Sequence, residues 1–402
     1  MQDIVDQLSQ TIRGAAKQKR PLRIRGGGTK DFYGGEIRGD ILDTSAYRGI
    51  IAYEPTELVI TARAGTPLAE IEAAMSDKGQ MLAFEPPHFG KLPSPLAPPA
   101  LTPSLSSQDR GEARTSLLPP GEGSGMREGE GNFVPASPEN KIATIGGCVA
   151  AGLSGPRRPY AGAVRDLTLG VRLLDGKGSD LRFGGQVMKN VAGYDVSRLM
   201  VGSLGTLGVI LEVSLKALPR PVAELTLSRE QTQAEALALM NEWAGKPLPL
   251  SATCHAGKLL YVRLSGAAAA VRAAREKLGG EEVADGAAFW QSLREQELDF
   301  FRQREPLWRL SLKSTTPPLN LAGQQLLEWG GALRWLKSGM DAKTVREAAA
   351  FGGGHATLFR GGDKSAGVFH PLSPALQNIH RRLKQIFDPA GIFNPARMYD
   401  WM

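Results

Sequence analysis

"RPLRIRGGGTKDFYGG", residues 20–35, decides how this chain is read. A short basic and apolar strand runs into three consecutive glycines, then Thr29 and Lys30, with Gly34 and Gly35 close behind. Glycine is the default residue wherever φ is positive, so a flexible turn is one account of such a loop. The other is that something bulky and anionic meets the main chain, because consecutive glycine N–H groups form an anion-binding concavity. Two more segments share the texture: "TIGGCVAAGLSG" at 144–155 and "GSLGTLGVI" at 202–210. None fits the phosphate-loop NTPase pattern, since Lys30 follows Thr29, and none opens a βαβ unit with a Gly-x-Gly-x-x-Gly fingerprint. Three such loops together imply one extended ligand touching backbone in several places.

Bulk properties narrow the classes. A chain of 402 residues is long enough for two or three domains and a substantial core. Hydrophobic residues make up 42%, ordinary for a soluble globular protein, and no apolar run approaches the ~18 residues of a membrane span. Ile4, Val5, Leu8 and Ile12 recur at helical spacing and read as an amphipathic surface helix, not a signal peptide. Cys148 and Cys254 are the two cysteines, too few for a disulfide framework or a cysteine metal site. Any iron–sulfur chemistry would come from another subunit. The formal charge of +7 suits an acidic partner, but the basic residues are scattered without interleaved aromatics, so no nucleic-acid partner is expected.

Along the chain, "GIIAY" and "LVITARA" read as strands around the turn "EPTE". Thr66 is expected to cap a helix that Pro67 opens and Gly79 stops. Residues 91–140 are dense in Pro, Gly and Ser and read as a disordered surface insertion, with a lid as the alternative. "TLGVRLL" and "DLRFG" form a hairpin pattern. Beyond Pro221 come strand, helix, two strands, helix and strand, then "QQLLEWGGALRWL" as a hairpin around Gly330 and Gly331 and "DAKTVREAAAFGG" as a helix. This describes an antiparallel sheet with helices on one face. A helix and a Pro/Gly-rich tail finish the chain.

"PLRIRGGGTK", "ATIGGCVAAGLSGPRRPYAGAVRD", "GQVMKNVAGYDVSRLMVGSLGTLGVI" and "FDPAGIFNP", in this order, resemble the vanillyl-alcohol-oxidase/PCMH-type FAD-binding family. Within it the likeness is to the FAD-binding subunits of glycolate oxidase (glycolate dehydrogenase), through "YEPTELVITARAGTPLAEIE", "EPPHFG", "EWGGALRWLKS" and "GGHATLFRGGD". It covers the chain except residues 91–140. The resemblance implies an α+β fold: a two-part PCMH-type FAD-binding domain over 1–218, interrupted at about 91–140, then an α+β cap domain of antiparallel sheet plus helices over 219–375. A C-terminal helix and tail, 376–402, would return to the first domain. It also implies roles. Arg25, Gly26, Gly27, Gly28, Thr29 and Lys30 correspond to the pyrophosphate loop, and Pro86 to the approach to the flavin. Thr144, Ile145, Gly146 and Gly147 form a second FAD segment continued by Gly152 and Gly155. Gly208, Val209 and Ile210 meet the adenosine half, and Asn394 belongs to a tail element returning to the cofactor.

The sequence departs from its relatives at two points. The first loop carries Thr29 where some attach flavin through His, so FAD is expected to be non-covalent. Where related dehydrogenases carry a His-rich metal site, this chain has "GGGHATLF" with His355 alone, so no metal site is expected. His355 reads as a base or substrate contact or as structural. Arg309 and Arg334 read as a carboxylate clamp or as solvent-facing. Lys189, Tyr194 and Asp195 either line the flavin or hold a turn, His88 lies near the cofactor entrance, and Cys148 is buried and inert. The implied activity is oxidation of glycolate, a 2-hydroxy acid, to glyoxylate. Electrons would pass through the flavin to an iron–sulfur subunit, beside a paralogous FAD-binding subunit. Alternatives are a self-sufficient flavin dehydrogenase for another 2-hydroxy acid, or a scaffold subunit for the paralogue. A cytoplasmic location follows, peripheral at most on the inner membrane through the complex.

Overall fold

A computed structural model describes residues 1–90, 141–185, 194–302 and 304–402. The expected insertion at 91–140 and Lys189 lie outside them. The flanks of the insertion are described, and they touch: a Cβ on Gly90 would stand 2.4 Å from the Lys141 carbonyl oxygen.

The N-terminal helix, Gln2–Gln18, buries Val5, Leu8, Ile12 and Ala15, the face that its spacing predicted. Those side chains pack with Leu22, Leu42, Leu174 and Phe393. Strand Leu22–Arg25 pairs in parallel with Asp40–Asp43, and Leu22 also bridges to Phe393 near the C-terminus. Beside this unit lies a five-stranded antiparallel sheet in the order Ile50–Glu54, Val59–Arg63, Val209–Lys216, Thr168–Leu174, Asp180–Gly184. The central strand, Val209–Lys216, is buried on both faces. Its register against Thr168–Leu174 slips between Arg172 and Leu173, leaving Leu211 as an extra residue. Such a bulge reverses which side chains face which side. Accordingly Val209 and Leu211 join the helix-side core, while Val213 and Leu215 join the core on the other side.

The second half is an eight-stranded antiparallel sheet, ordered Glu281–Glu282, Ala223–Glu230, Leu259–Gly266, Leu250–Ala256, Gln324–Glu328, Leu333–Lys337, Leu307–Ser311, His355–Arg360. Helices Gln233–Ala244, Ala268–Leu278 and Ala342–Phe351 cover one face. A Thr232–Glu235 capping box begins the first of them. The opposite face presents Cys254, Leu326, Leu333, Trp335 and Phe359 to Tyr33, Ala151 and Leu153 of the N-terminal half. Residues of "QQLLEWGGALRWL" make the expected hairpin, turning where Gly330 and Gly331 have φ of 66° and 91°. The tail helix, Pro374–Phe387, packs back on the N-terminal half through Phe387 and Leu383.

Thr66 departs from expectation. The helix is Leu68–Ser76 with Pro67 as its unbonded cap. The Thr66 hydroxyl instead accepts from the Gly49 amide at 2.8 Å and donates to the Arg63 carbonyl at 2.7 Å. Pro67 is extended, bridging to Thr144, so the side chain that could have capped lies one residue too early. Among the elements not anticipated are strand Asp40–Asp43, helix Gly286–Glu295 and the edge strand His355–Arg360.

Candidate cofactor cleft

A cleft open to solvent on one side runs along the first glycine loop. Arg25, Gly26, Gly27, Gly28, Thr29 and Lys30 line it together with Thr144, Gly147 and Asn394. Sequence reading gathered these residues from three distant segments, and the fold brings them to one place. Among the described residues, the amides of Gly27, Gly28, Thr29 and Lys30 donate to no protein acceptor. The Nε of Arg25 is buried without a partner. Unpaired donors in a concave loop fit an anion. The surrounding charge agrees: Arg23, Arg38 and Arg397 join Arg25 and Lys30 at the cleft, against Asp31 and Glu36.

The glycines also serve a purely steric need. A Cβ on Gly27 would stand 1.5 Å from the Ile142 carbonyl oxygen, and one on Gly26 would stand 2.6 Å from the Thr144 hydroxyl. Only bare backbone lets the first loop lie this close to the segment that leads into helix Ile145–Ala151. Gly28, at φ 70°, makes the turn. The steric need and the unpaired amides therefore fall on the same residues.

The remaining expected site residues lie outside the cleft lining. Ile145 and Gly146 spend their amides on the carbonyls of Thr66 and Ala64, both at 2.9 Å, so neither N–H is free for a cofactor. Gly152 ends the same helix in the left-handed region, against Gly202. Gly155 donates to the Phe84 carbonyl, beside buried Pro86. Gly208, Val209 and Ile210 enter the central strand against Leu173 and Leu174, and the two aliphatic side chains belong to the core. The Asn394 side chain is a rivet, its Oδ1 accepting from the Ile24 amide at 2.9 Å and its Nδ2 donating to the Leu204 carbonyl at 2.6 Å.

Sequence reading missed Arg397. Its guanidinium donates to the carbonyls of Gly35 and Asp31 at 2.6 and 2.8 Å, tying the tail to the first loop, and burial lowers its pKa to about 10. Lys30 turns its ammonium to Thr29 and the His88 carbonyl, and burial lowers its pKa. His88 is buried, 3.1 Å from Glu72. The buried Cys148 thiol is pushed up to about 12 by burial and is inert. Tyr194 is exposed, and Asp195 caps helix Val196–Met200.

A second, smaller cavity lies between the eight-stranded sheet and the turn at 153–156, bordered by Phe89, Leu153, Arg309, Glu328, Trp335 and Phe359 among others. Glu328 accepts from Trp335 Nε1 at 2.7 Å, and burial raises its carboxyl to about 7, against the opposing pull of that bond and of Arg309. Arg334 faces the other side of the sheet. It is buried and spends its guanidinium on the carbonyls of Gly331, Pro317 and Thr316, so it is no carboxylate clamp. His355 is exposed, its ring 6.5 Å from that of His370. Glu85 locks the two halves together, its carboxylate paired with Arg157 and Arg263. Among the described residues no cluster of three or more His, Cys, Asp or Glu could hold a metal, and no helix is long and apolar enough to cross a membrane.

Comparison with known proteins gives this geometry its context. The FAD binding domain family matches residues 3–91, which contain the first loop. The glycolate oxidase subunit GlcE of Escherichia coli (strain K12) is 47% identical over 398 residues, covering 99% of this chain and 97% of that protein. The glycolate oxidase subunit GlcD of Bacillus subtilis (strain 168) is 38% identical over 125 residues, 30% of this chain and 27% of its own. A crystal structure of alkyldihydroxyacetonephosphate synthase superposes with a TM-score of 0.60 at 15% identity, covering 97% of this chain and 75% of that one, and so shares the two-part fold. With nearly half its positions identical along its whole length, the chain belongs to the glycolate oxidase subunit GlcE family of FAD-dependent oxidoreductases.

Proposed function

We propose that the chain is the FAD-binding subunit of a glycolate oxidase complex, taking part in oxidation of glycolate to glyoxylate and passing electrons to an iron–sulfur subunit. The unpaired amides of Gly27 to Lys30, at the mouth of a cationic cleft, carry the reading, because they match the diphosphate of a dinucleotide. Arg25, Gly26, Gly27, Gly28, Thr29 and Lys30 would hold that diphosphate, with Thr144 and Gly147 facing it. Bound FAD supplies the hydride-accepting chemistry, while the protein orients and shields it. The first loop, without His or Cys, leaves the flavin non-covalent. Ile145, Gly146, Gly152, Gly155, Pro86, Gly208, Val209, Ile210 and Asn394 would act by holding the walls of the site in place. A division into a FAD-binding part to 218, a cap over 219–375 and a returning tail is supported by a five-stranded sheet whose last strand ends at Lys216 and an eight-stranded sheet that begins at Ala223. A cytoplasmic complex of this subunit, a paralogous flavoprotein and an iron–sulfur protein fits a chain with few cysteines.

The test is purification of the complex from its native cell, with flavin and iron measured per chain. Absorbance near roughly 370 and 450 nm, lost on adding glycolate, is the expected result. A complex in which this chain carries no flavin refutes the assignment.

A further inference from the structure

Helix Pro374–Phe387 carries more apolar surface than the fold uses. Lys384 and Phe387 are buried against the N-terminal half, where Lys384 donates to the Thr206 carbonyl. Leu376, Ile379 and Ile386 are exposed at 47%, 54% and 64%. With Leu383, which is partly buried, they recur at steps of three, four and three residues. That is the a/d spacing of a helix–helix seam, narrower than the apolar face by which a surface helix packs on its own protein. Beside the seam a groove separates this helix from the 198–207 segment, and Leu199, Leu207, Leu383 and Met398 line it. Leu383 therefore joins stripe and groove into one surface. The charge of that surface is one-sided. Arg165 and Arg198 line the groove, and Arg382, three residues after Ile379 and four before Ile386, flanks the stripe. All three arginines are exposed. Among the described residues Arg165 and Arg382 form no ion pair, and Arg198 pairs with Asp195 at 3.4 Å. No carboxylate lines the groove among the described residues, and the helix itself contains no acidic residue.

We propose that the stripe and the groove dock a helix of a partner protein, apolar on one face and carrying Asp and Glu along its flanks. Its apolar side chains would cover Leu376, Ile379, Leu383 and Ile386, and its carboxylates would meet Arg165, Arg198 and Arg382. Charge decides against a second copy of the chain. Meeting this face through a two-fold axis would set the three arginines against one another, with no acid to receive them. Shape decides against a lipid surface. A bilayer takes up side chains that protrude from a broad apolar face, whereas this stripe is narrow and Leu383 is drawn in beside the groove. Acidic flanks also fix the orientation and register of the docked helix, which apolar contact alone does not. Placing the partner within a glycolate oxidase complex rests on the flavoprotein reading above; the docking face itself does not.

The experiment uses the complex purified from its native cell through a tag on this chain, with flavin per chain measured alongside. Cys148 and Cys254 are both buried, so Ile379→Cys supplies an exposed thiol that takes a maleimide-linked benzophenone. On illumination it should couple to a partner peptide with apolar residues at three- and four-residue steps and Asp or Glu beside them. Ile379→Gln/Ile386→Gln should weaken retention of that partner on dilution by about 10- to 100-fold. Flavin content and melting temperature should not change, because both side chains are exposed. Arg165→Glu/Arg382→Glu should weaken retention about tenfold and flatten its dependence on salt. Coupling to a second copy of the chain overturns the proposal, as does a partner held equally well by the glutamine variant. A wild-type chain that purifies without a partner overturns it too. So does coupling to lipid, with the wild-type chain sedimenting on vesicles of phosphatidylcholine and phosphatidylglycerol and the glutamine variant not. Each of these leaves the flavoprotein reading intact if the chain carries flavin. A flavin-free chain whose partner retention still depends on Ile379 and Ile386 upholds the docking face and overturns the flavoprotein reading.

Discussion

Replacing Gly27 by alanine adds one methyl group where the first glycine loop touches the second segment. That methyl would stand 1.5 Å from the Ile142 carbonyl oxygen, whereas real Cβ contacts essentially never fall under 3.0 Å. The obstacle is backbone, so no rotamer change relieves it, and one of the two segments must retreat by about 1.5 Å or more. Overpacking of this kind costs about 1–3 kcal/mol. The displaced loop is also the one whose amides stand unpaired, so FAD affinity should fall at least tenfold, about 1.4 kcal/mol. Loss of bound FAD removes a further stabilisation, about 2.7 kcal/mol when the ligand stands at a hundred times its Kd. Flavin content per chain, fluorescence titration of apo-protein with FAD, and the melting temperature with and without added FAD read the three effects separately. Gly14→Ala is the control: nothing lies within 4 Å of the added atom, inside helix Gln2–Gln18, so it should stabilise by about 0.5–1 kcal/mol. If Gly27→Ala bound FAD like the wild type and melted no lower, the close approach of the two loops would not be what shapes the cleft.

Three more perturbations test how the cleft is supported. Burial alone would raise the pKa of Glu85, but Arg263 and Arg157 outweigh it and lower the pKa from 4.5 to about 2. The carboxylate then contributes roughly 3 kcal/mol of stability above pH 4.5, lost as pH falls toward 2; Glu85→Gln should shrink the acid sensitivity of denaturant unfolding across that window. Lys384 reaches inward to Asp388 and to the carbonyls of Thr206 and Phe393, each at 2.8 Å. Lys384→Met strands a buried carboxylate and should cost about 3–5 kcal/mol in urea unfolding, more than the double variant Lys384→Met/Asp388→Asn. Because Gly90 and Lys141 already touch, joining them through a short glycine–serine linker in place of residues 91–140 should leave flavin content and melting temperature unchanged; a chain that loses its flavin would contradict this.

Local patterns were legible where they act alone. The spacing of Val5, Leu8 and Ile12 gave the first helix and its buried face, and "TLGVRLL…DLRFG" gave its hairpin, because in both the period and the turn lie within one short stretch. Helix Gly286–Glu295 carried readable signals too, an Asp285 cap and Trp290 and Leu293 on its buried face. What could not be read depends on partners far away in sequence. Arg309 and Arg334 both sit on strands, and nothing local says which faces the cavity. Their pairing puts them on opposite faces of one sheet, so one lines the cavity and the other is consumed by three carbonyls. Lys384 and Asp388 look like a surface i,i+4 pair, yet both are buried because the tail folds over them. Thr66 was misread as a cap because its hydroxyl serves Gly49, seventeen residues upstream.

The tail explains why the first loop alone would not make the site. Phe393 pairs with Leu22, Asn394 fixes the Ile24 amide to the turn at Leu204, and Arg397 holds the carbonyls of Gly35 and Asp31. Residues more than 360 positions apart thus clamp both ends of the loop that presents the free amides. Closing so long a stretch of chain costs entropy that the tail's few hydrogen bonds offset only together with burial of Phe387, Ile392 and Phe393. If FAD binds the free amides as proposed, cofactor binding and tail docking would hold the same loop, and each would strengthen the other. The C-terminal residues would in this sense be part of the proposed cofactor site, although Asn394 and Arg397 spend their side chains on protein.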